Sequence, residues 1–143
     1  MRNRFIKSYV ILCLLFGFSN ANAGDKHYSK PGISLTATGA TLLFTTENGT
    51  RRFYVRELFV EVTAATVPLG AANVSFGTNA ASYDNVKAAG VLTGLLDVNS
   101  VLPIPLTLVN QSIAPNTPVY INVTVGASAD AQQGKVICRG FYE

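Results

Sequence analysis

The segment Val119–Val125 alternates strictly between apolar and polar side chains. Its valine and isoleucine residues occupy the odd positions, and tyrosine, asparagine and threonine stand between them. A period of two is typical of a β-strand that buries one face, so we expect the apolar members, Val125 included, to point into a core. The same period recurs at Leu58, Val60 and Val62, which alternate with polar residues. These two segments predict strands that bury one face in the core of a β-fold.

The rest of the chain continues this rhythm. Short apolar stretches rich in Val, Ile, Thr, Phe and Tyr follow one another from residue 33 onward, separated by Gly, Pro and Asn, and none keeps a 3.6-residue period long enough to indicate a helix. The pattern predicts one all-β domain over residues 33–143, a single antiparallel β-sandwich of jelly-roll-like or immunoglobulin-like type. About 120 residues suffice for one such domain.

A hairpin is the clearest local prediction. Asn48-Gly49 lies between the apolar stretches Ala40–Thr46 and Arg51–Val62. Asn-Gly readily takes the positive φ angles that a type I′ turn requires, so the two stretches are expected to pair with each other.

Further strands are expected along the chain. Pro103 and Pro105 each lack a backbone donor, which either places the strand within Leu102–Val109 at a sheet edge or starts it after Pro105. The C-terminal stretch must pair inside the fold, because an apolar terminal strand would otherwise expose an aggregation-prone edge. The remaining predicted strands are Asn73–Gly77, Val91–Leu96 and Gly134–Tyr142, the last with Val136, Cys138 and Tyr142 pointing inward.

The first 23 residues have the three parts of a cleavable signal peptide. Arg2, Arg4 and Lys7 form a positive segment, Tyr9–Phe18 is apolar, and Ala21-Asn22-Ala23 supplies small residues before the cleavage point. The apolar stretch has about half of the roughly 20 residues that a membrane-spanning helix needs. We therefore expect removal of residues 1–23 on export, no membrane span in the mature protein, and a periplasmic, extracellular or cell-surface location.

Removal of the signal peptide changes the charge and the cysteine content. Three of the 11 Lys and Arg residues lie in this segment, which leaves eight against 8 Asp and Glu residues. The mature protein is then formally neutral, which argues against nucleic acid as a partner. Cys13 also leaves with the signal peptide, so Cys138 remains alone and no intramolecular disulfide can form.

The reactive residue types do not assemble into a recognisable site. His27, the only histidine, lies in Gly24–Gly32, a polar segment that we expect to be a flexible leader, and has no cysteine or carboxylate cluster beside it. Cys138 is expected to be buried and inert. Asp97-Val98-Asn99 has the spacing of some calcium loops without their further ligands, and turn capping explains it more simply. We therefore predict no enzyme activity, no catalytic residue, no cofactor and no metal.

The residues that favour a contact surface are tyrosines and arginines. Tyrosine combines an apolar ring with a polar tip, which suits it to stacking on a sugar or a protein surface. The arginines form the one basic cluster, which we interpret as solvated strand-end charges because acidic residues lie close by. The candidate contact residues are Tyr54, Tyr83, Tyr120, Arg51, Arg52 and Arg56.

From residue 60 to residue 143 the order of features also resembles a known class. The residues that carry the likeness are Phe59-Val60-Glu61-Val62-Thr63, Val74-Ser75-Phe76-Gly77-Thr78-Asn79, Ala114-Pro115-Asn116-Thr117 and Arg139-Gly140-Phe141-Tyr142-Glu143. In these the chain resembles small β-sandwich domains of phage and virion-associated structural proteins, such as tail-fibre heads and head-decoration knobs. The resemblance implies a jelly-roll-like sandwich, often trimeric, that works by surface contact.

The leading hypothesis is accordingly a non-enzymatic exported structural module that acts through self-association, with a trimer as the resemblance implies. The alternative is an adhesin-type binding module for carbohydrate or another cell-surface ligand. A pilin-like subunit of the donor-strand kind is a further alternative, suggested by the polar leader and the penultimate Tyr142. A hydrolase that uses outward carboxylates such as Glu57 and Glu61 remains the last.

Overall fold

A computed structural model of the chain describes residues 24–65, 71–93, 98–106, 112–127 and 132–143. The predicted signal peptide, residues 1–23, lies outside the described residues. The described residues form nine strands and no helix. The strands are β1 (Lys26–Ser34), β2 (Gly39–Thr45), β3 (Phe53–Ala65), β4 (Asn73–Gly77), β5 (Lys87–Val91), β6 (Val101–Ile104), β7 (Ser112–Ile113), β8 (Pro118–Val125) and β9 (Gln132–Tyr142).

The strands form two antiparallel sheets. A five-stranded sheet has the order β1-β9-β3-β6, with β7 also paired to β3, and a four-stranded sheet has the order β2-β8-β4-β5. The pairs are nested along the chain, since β1 joins β9, β2 joins β8, β3 joins β6 and β4 joins β5. This nested pairing of early strands with late ones, alternating between two sheets, is the topology of a jelly roll. The prediction of an all-β antiparallel sandwich is confirmed, and of its two variants the jelly roll is the one observed.

The core lies between the two sheets and is built from the faces that the alternation predicted. Leu58, Val60 and Val62 are buried on β3, and the odd-numbered residues 119, 121 and 123 are buried on β8. The prediction for Val125 is wrong, because its side chain is 57% exposed. Val125 is the last residue of β8, and the chain leaves the sheet there at Gly126, whose backbone packs directly against that of Thr36.

The predicted hairpin at Asn48-Gly49 is wrong. The strands on its two sides lie in different sheets, β2 beside β8 and β3 beside β9, so residues 46–52 cross between sheets. Tertiary hydrogen bonds direct the crossing, since the Thr46 amide donates to the Thr117 carbonyl at 3.0 Å and the Thr46 hydroxyl donates to the Ala114 carbonyl at 2.8 Å. Gly49 has a positive φ but Asn48 does not, whereas a type I′ turn needs both.

The prediction of a flexible leader over Gly24–Gly32 is also wrong. Most of this segment belongs to β1, an edge strand that pairs with β9 from Lys26 opposite Gly140 to Ser34 opposite Gln133. Strand pairing depends on backbone groups and does not require apolar side chains in the added strand. One inward tyrosine, Tyr28, and the buried Ile33 are enough to fix its face.

The other strand predictions fare better. Asn73–Gly77 is β4, as expected, and the C-terminal strand is β9 between β1 and β3. Of the two alternatives for the proline-containing stretch, the edge strand is observed, since β6 contains Pro103 and lies at a sheet edge. The strand expected at Val91–Leu96 lies earlier, at β5, where lysine, alanine and glycine give no strand signal and pairing with β4 sets the position. Residues 94–96 and 107–109 of the two predicted strands lie outside the described residues.

Candidate functional site

The predicted contact residues divide between the two sheets. Tyr54 and Arg56 lie on β3, on the outer face of the five-stranded sheet, whereas Tyr120 lies on β8 in the four-stranded sheet. Tyr83 lies in the loop between β4 and β5 and contacts Tyr120. The structure therefore forms two separate tyrosine surfaces on opposite sides of the sandwich.

On the outer face of the five-stranded sheet, aromatic rings and arginines alternate. The Tyr54 ring stacks on Phe141 with centroids 5.2 Å apart and planes 12° apart. The Arg56 guanidinium lies 4.6 Å from the Phe141 ring centroid, and that of Arg139 lies 5.4 Å from Phe59. We call these five residues the aromatic–arginine face. Its members come from the neighbouring strands β3 and β9, which the register holds side by side.

The charges of this face are paired within the chain. Arg56 lies 3.2 Å from Asp25, and Arg139 lies 3.4 Å from Glu57. These side chains are about half exposed or more, and such pairs contribute little to stability. A cleft of about 410 Å³ between these pairs is lined by both signs of charge and by His27. The arrangement therefore leaves a surface that is nearly neutral and partly aromatic.

Arg51 and Arg52 do not join Arg56. The Arg51 guanidinium lies 6.0 Å from the Tyr142 ring centroid, and the Arg52 Nε donates to the Ser112 hydroxyl at 3.0 Å. Each of the three arginines thus has its own contact within the chain, and the structure does not bring them together around one position.

The second tyrosine surface is held by a hydrogen-bonded loop. Tyr83 and Tyr120 have ring centroids 4.7 Å apart and planes inclined at 41°. The Tyr83 amide donates to the Asn79 carbonyl at 2.9 Å, and the Asn79 amide side chain donates to Asp84 at 2.7 Å. The amide of Asp84 in turn donates to Asn79 Oδ1 at 2.9 Å. Asn79 therefore fixes the backbone on both sides of Tyr83.

Tyr83 has a φ angle of 48°, in the left-handed region that bulky side chains rarely adopt. Such a conformation costs on the order of 1–3 kcal/mol and persists only where surrounding contacts fix it. The Asn-rich segment around Tyr83 predicts a loop, but the strain depends on the hydrogen bonds of Asn79 and has no local sequence signal. Residues held in this way occur often at ligand contacts.

An aromatic cluster that the sequence did not reveal joins the two sheets. Tyr28 of β1 stacks on Phe44 of β2 with centroids 3.9 Å apart and planes 3° apart. The hydroxyls of Tyr28 and Tyr142 lie 2.7 Å apart, and the Glu47 amide donates to the Tyr142 hydroxyl at 2.7 Å. Burial, followed by the Tyr142 hydrogen bond, raises the pKa of Tyr28 far above its usual range. The Tyr28 hydroxyl therefore stays neutral above the pH at which a tyrosine normally ionises, and the cluster is a structural junction.

The remaining reactive residues stay apart. Cys138 is buried on β9, and burial raises the pKa of its thiol to about 12. His27 is exposed on β1. No group of three or more His, Cys, Asp or Glu residues that could hold a metal occurs within residues 24–143 outside the undescribed gaps. Asp97 of the calcium-like spacing lies outside the described residues.

No helix long and apolar enough to cross a membrane is present in the part of the chain that the structure describes.

No family model matches the sequence, and no curated protein matches it either. Among solved structures, a chain of the cyanophage Pam1 capsid asymmetric unit is similar, with a TM-score of 0.52 and 19% sequence identity. The match covers 83% of this chain and 84% of that chain. At this identity the likeness concerns the fold. The predicted likeness to β-sandwich domains of phage structural proteins is thereby confirmed for the fold.

Proposed function

We propose that this protein is a non-enzymatic structural module that works by surface contact with other protein molecules, copies of itself included, after export from the cell. The observation that carries the proposal is the aromatic–arginine face. Tyr, Phe and Arg are enriched in protein interfaces, and the residues that dominate binding energy there are chiefly Trp, Tyr and Arg. The fold of a chain from a phage capsid unit gives a precedent for this architecture in an assembly.

The charge arrangement supports the same proposal. Because Arg56 and Arg139 already have carboxylate partners, two copies can approach through this face without bringing unpaired like charges together. The Arg56 and Arg139 guanidinium groups lie over the Phe141 and Phe59 rings, so the rings and the planar, weakly hydrated guanidinium groups form one continuous area. Such a surface can lose water on contact at a small electrostatic cost.

Sedimentation velocity over a concentration series tests this proposal. The protein is produced from the full gene in an exporting host, and mass spectrometry establishes whether Gly24 is its first residue. We expect the sedimentation coefficient to rise with concentration, and a double variant Phe59→Ala/Phe141→Ala to associate at least tenfold more weakly. Val91→Ala, which removes an exposed apolar side chain on β5 of the opposite sheet, is the matched control. A single monomeric species of the wild type at every concentration would contradict self-association.

The strained loop favours a second candidate function, the binding of carbohydrate at the pair Tyr83 and Tyr120. Tyrosine rings offer an apolar face to the C–H groups of a sugar, and their hydroxyls can hydrogen-bond to it. The fixed position of Tyr83 would lower the conformational entropy lost on binding.

A glycan array followed by NMR titration with the strongest hit tests this second function. Tyr83→Gly removes the ring and keeps a backbone that tolerates the positive φ, so we expect binding to fall at least tenfold without unfolding. Tyr54→Ala, on the opposite sheet, should bind as the wild type does. An array without reproducible hits, or equal losses in both variants, would remove this candidate.

A further inference from the structure

The two sheets have four edges in the described chain, formed by β1, by β6 together with the two-residue β7, by β2 and by β5. An edge strand presents unpaired backbone groups to any other strand that approaches it, and proteins block such edges with lysine, proline, bulges or short length. Three of these four edges have such features within the strand. The fourth, β2, has only a register shift near its end, between Leu42 and Phe44.

The blocked edges have different features. In β1, Pro31 lacks a backbone donor, and the register with β9 shifts between Lys30 and Ile33. β6 has only four residues, one of them Pro103. β5 has five residues and begins with Lys87, whose ammonium donates to the Ala88 carbonyl at 2.7 Å. These features oppose the addition of another strand.

β2 differs from all three. Its seven residues, Gly-Ala-Thr-Leu-Leu-Phe-Thr, include no charge and no proline. Its pairing with β8 is regular from Gly39 to Leu42 and shifts only between Leu42 and Phe44. Leu42 is 43% exposed, although it lies in the middle of a strand. An apolar edge of this kind is a site at which another strand adds.

Self-pairing suits β2 better than pairing with a different edge. The strand carries no charge, so two copies meet without like charges opposite each other. Pairing of β2 with β2 about a two-fold axis is closed, whereas addition of β2 to β5 of the next copy is a head-to-tail contact that would meet Lys87. The sequence and the strand order together therefore favour a pair of copies.

The outer face of the four-stranded sheet continues to this edge. Leu42 lies opposite Tyr120 in the register of β2 and β8, and the Tyr120 ring contacts Tyr83. Pairing of two β2 strands would place the Leu42 side chains of both copies near the join, between the two tyrosine pairs. The exposed leucine would then lie within a continuous apolar row that spans the joined sheet.

We propose that two copies of this chain join by antiparallel pairing of the Gly39–Leu42 segments of β2, which extends the four-stranded sheet into one sheet shared by both copies. This contact rests on the proposed self-association and is separate from the aromatic–arginine face. It makes β2 the edge through which two copies join.

Cysteine scanning tests the contact. In an antiparallel pair about a two-fold axis, the residue nearest the axis faces itself with Cα atoms about 4.5–5.5 Å apart, within the range that a disulfide spans. Ala40→Cys, Thr41→Cys and Leu42→Cys are oxidised and run on a non-reducing gel. Cys138 is buried and does not interfere. The matched control is Ala89→Cys on β5, the other edge of the same sheet.

At least one of the three β2 variants is expected to shift fully to the mass of two linked copies, and the β5 control is expected to remain at the mass of one. Thr41→Lys should remove the β2 contact, so that only association through the aromatic–arginine face remains in sedimentation velocity, while circular dichroism keeps its β spectrum. If the wild type associates but no β2 variant is cross-linked, the β2 contact is wrong and the proposed function stands. If the wild type does not associate at any concentration, both are wrong.

Discussion

Gly140 on β9 offers a sharp test of how the sandwich is packed. A Cβ added there would lie 2.6 Å from Cζ of Phe53 and closer still to the Tyr54 carbonyl oxygen. Phe53 is fully buried, so its ring cannot move out of the way. At Gly134 on the same strand, an added Cβ would lie 3.1 Å from the end of the Leu35 side chain, which needs to move by only a few tenths of an ångström.

The two substitutions to alanine should therefore differ in sign or size. Alanine in a strand gains about 0.5–1 kcal/mol over glycine from the unfolded chain. At Gly134 this gain offsets the small repacking cost, so Gly134→Ala should stay within about 1 kcal/mol of the wild type. At Gly140 overpacking against backbone costs roughly 3 kcal/mol, so Gly140→Ala should lose about 2 kcal/mol or more.

Urea denaturation followed by tyrosine fluorescence and circular dichroism measures the difference. For a slope of about 1–3 kcal/mol/M, 2 kcal/mol moves the midpoint by about 1 M. If Gly140→Ala does not fold, the double variant Gly140→Ala/Phe53→Leu provides a second measurement, because a smaller side chain at position 53 should restore part of the stability. Equal midpoints for Gly140→Ala and Gly134→Ala would refute the packing described for β9.

Two further outcomes follow from the buried groups. Tyr28→Phe should lower the free energy of unfolding by about 1 kcal/mol in urea denaturation, and Tyr142→Phe by more, because it removes the partner of both the Tyr28 hydroxyl and the Glu47 amide; an equal loss in both variants would contradict this network. Cys138 should be unreactive toward a thiol reagent at pH 8 until urea unfolds the protein. Burial raises the pKa of its thiol from 9.0 to about 12 in the folded state. The stability that the buried neutral thiol contributes is therefore fully present below about pH 9 and is lost as the pH rises toward 12. The stability difference between the wild type and Cys138→Ala should shrink over that range, and a constant difference would contradict the burial of the thiol.

The features that the sequence predicted are those that depend on local patterns. The alternation at Leu58, Val60 and Val62 depends only on the pleat of a strand, so it identifies the buried face directly. Pro103 likewise marks an edge strand, because a missing donor excludes the middle of a sheet. The order of the sheets could not be derived in this way, since it depends on which edges meet.

The errors arise where distant contacts decide. Asn48-Gly49 predicts a hairpin, but the hydrogen bonds of Thr46 reach residues about 70 positions away and direct the chain into the other sheet. Tyr28 lies in a polar segment, and its partner Tyr142 is 114 positions away. Residue type alone makes Tyr54 and Tyr83 candidate site residues, and only the fold reveals that they lie on opposite sides of the sandwich.

Hydrogen exchange at low and high protein concentration tests the central claim most directly. Backbone amides at an exposed edge exchange fast in a free molecule and slow when another strand pairs with them. A module that works by contact between copies should gain protection on concentration, and we expect this gain at Gly39–Leu42 of β2, with β5 unchanged; the amides beneath the aromatic–arginine face are already paired within the sheet. Exchange that is independent of concentration throughout the chain would contradict the account.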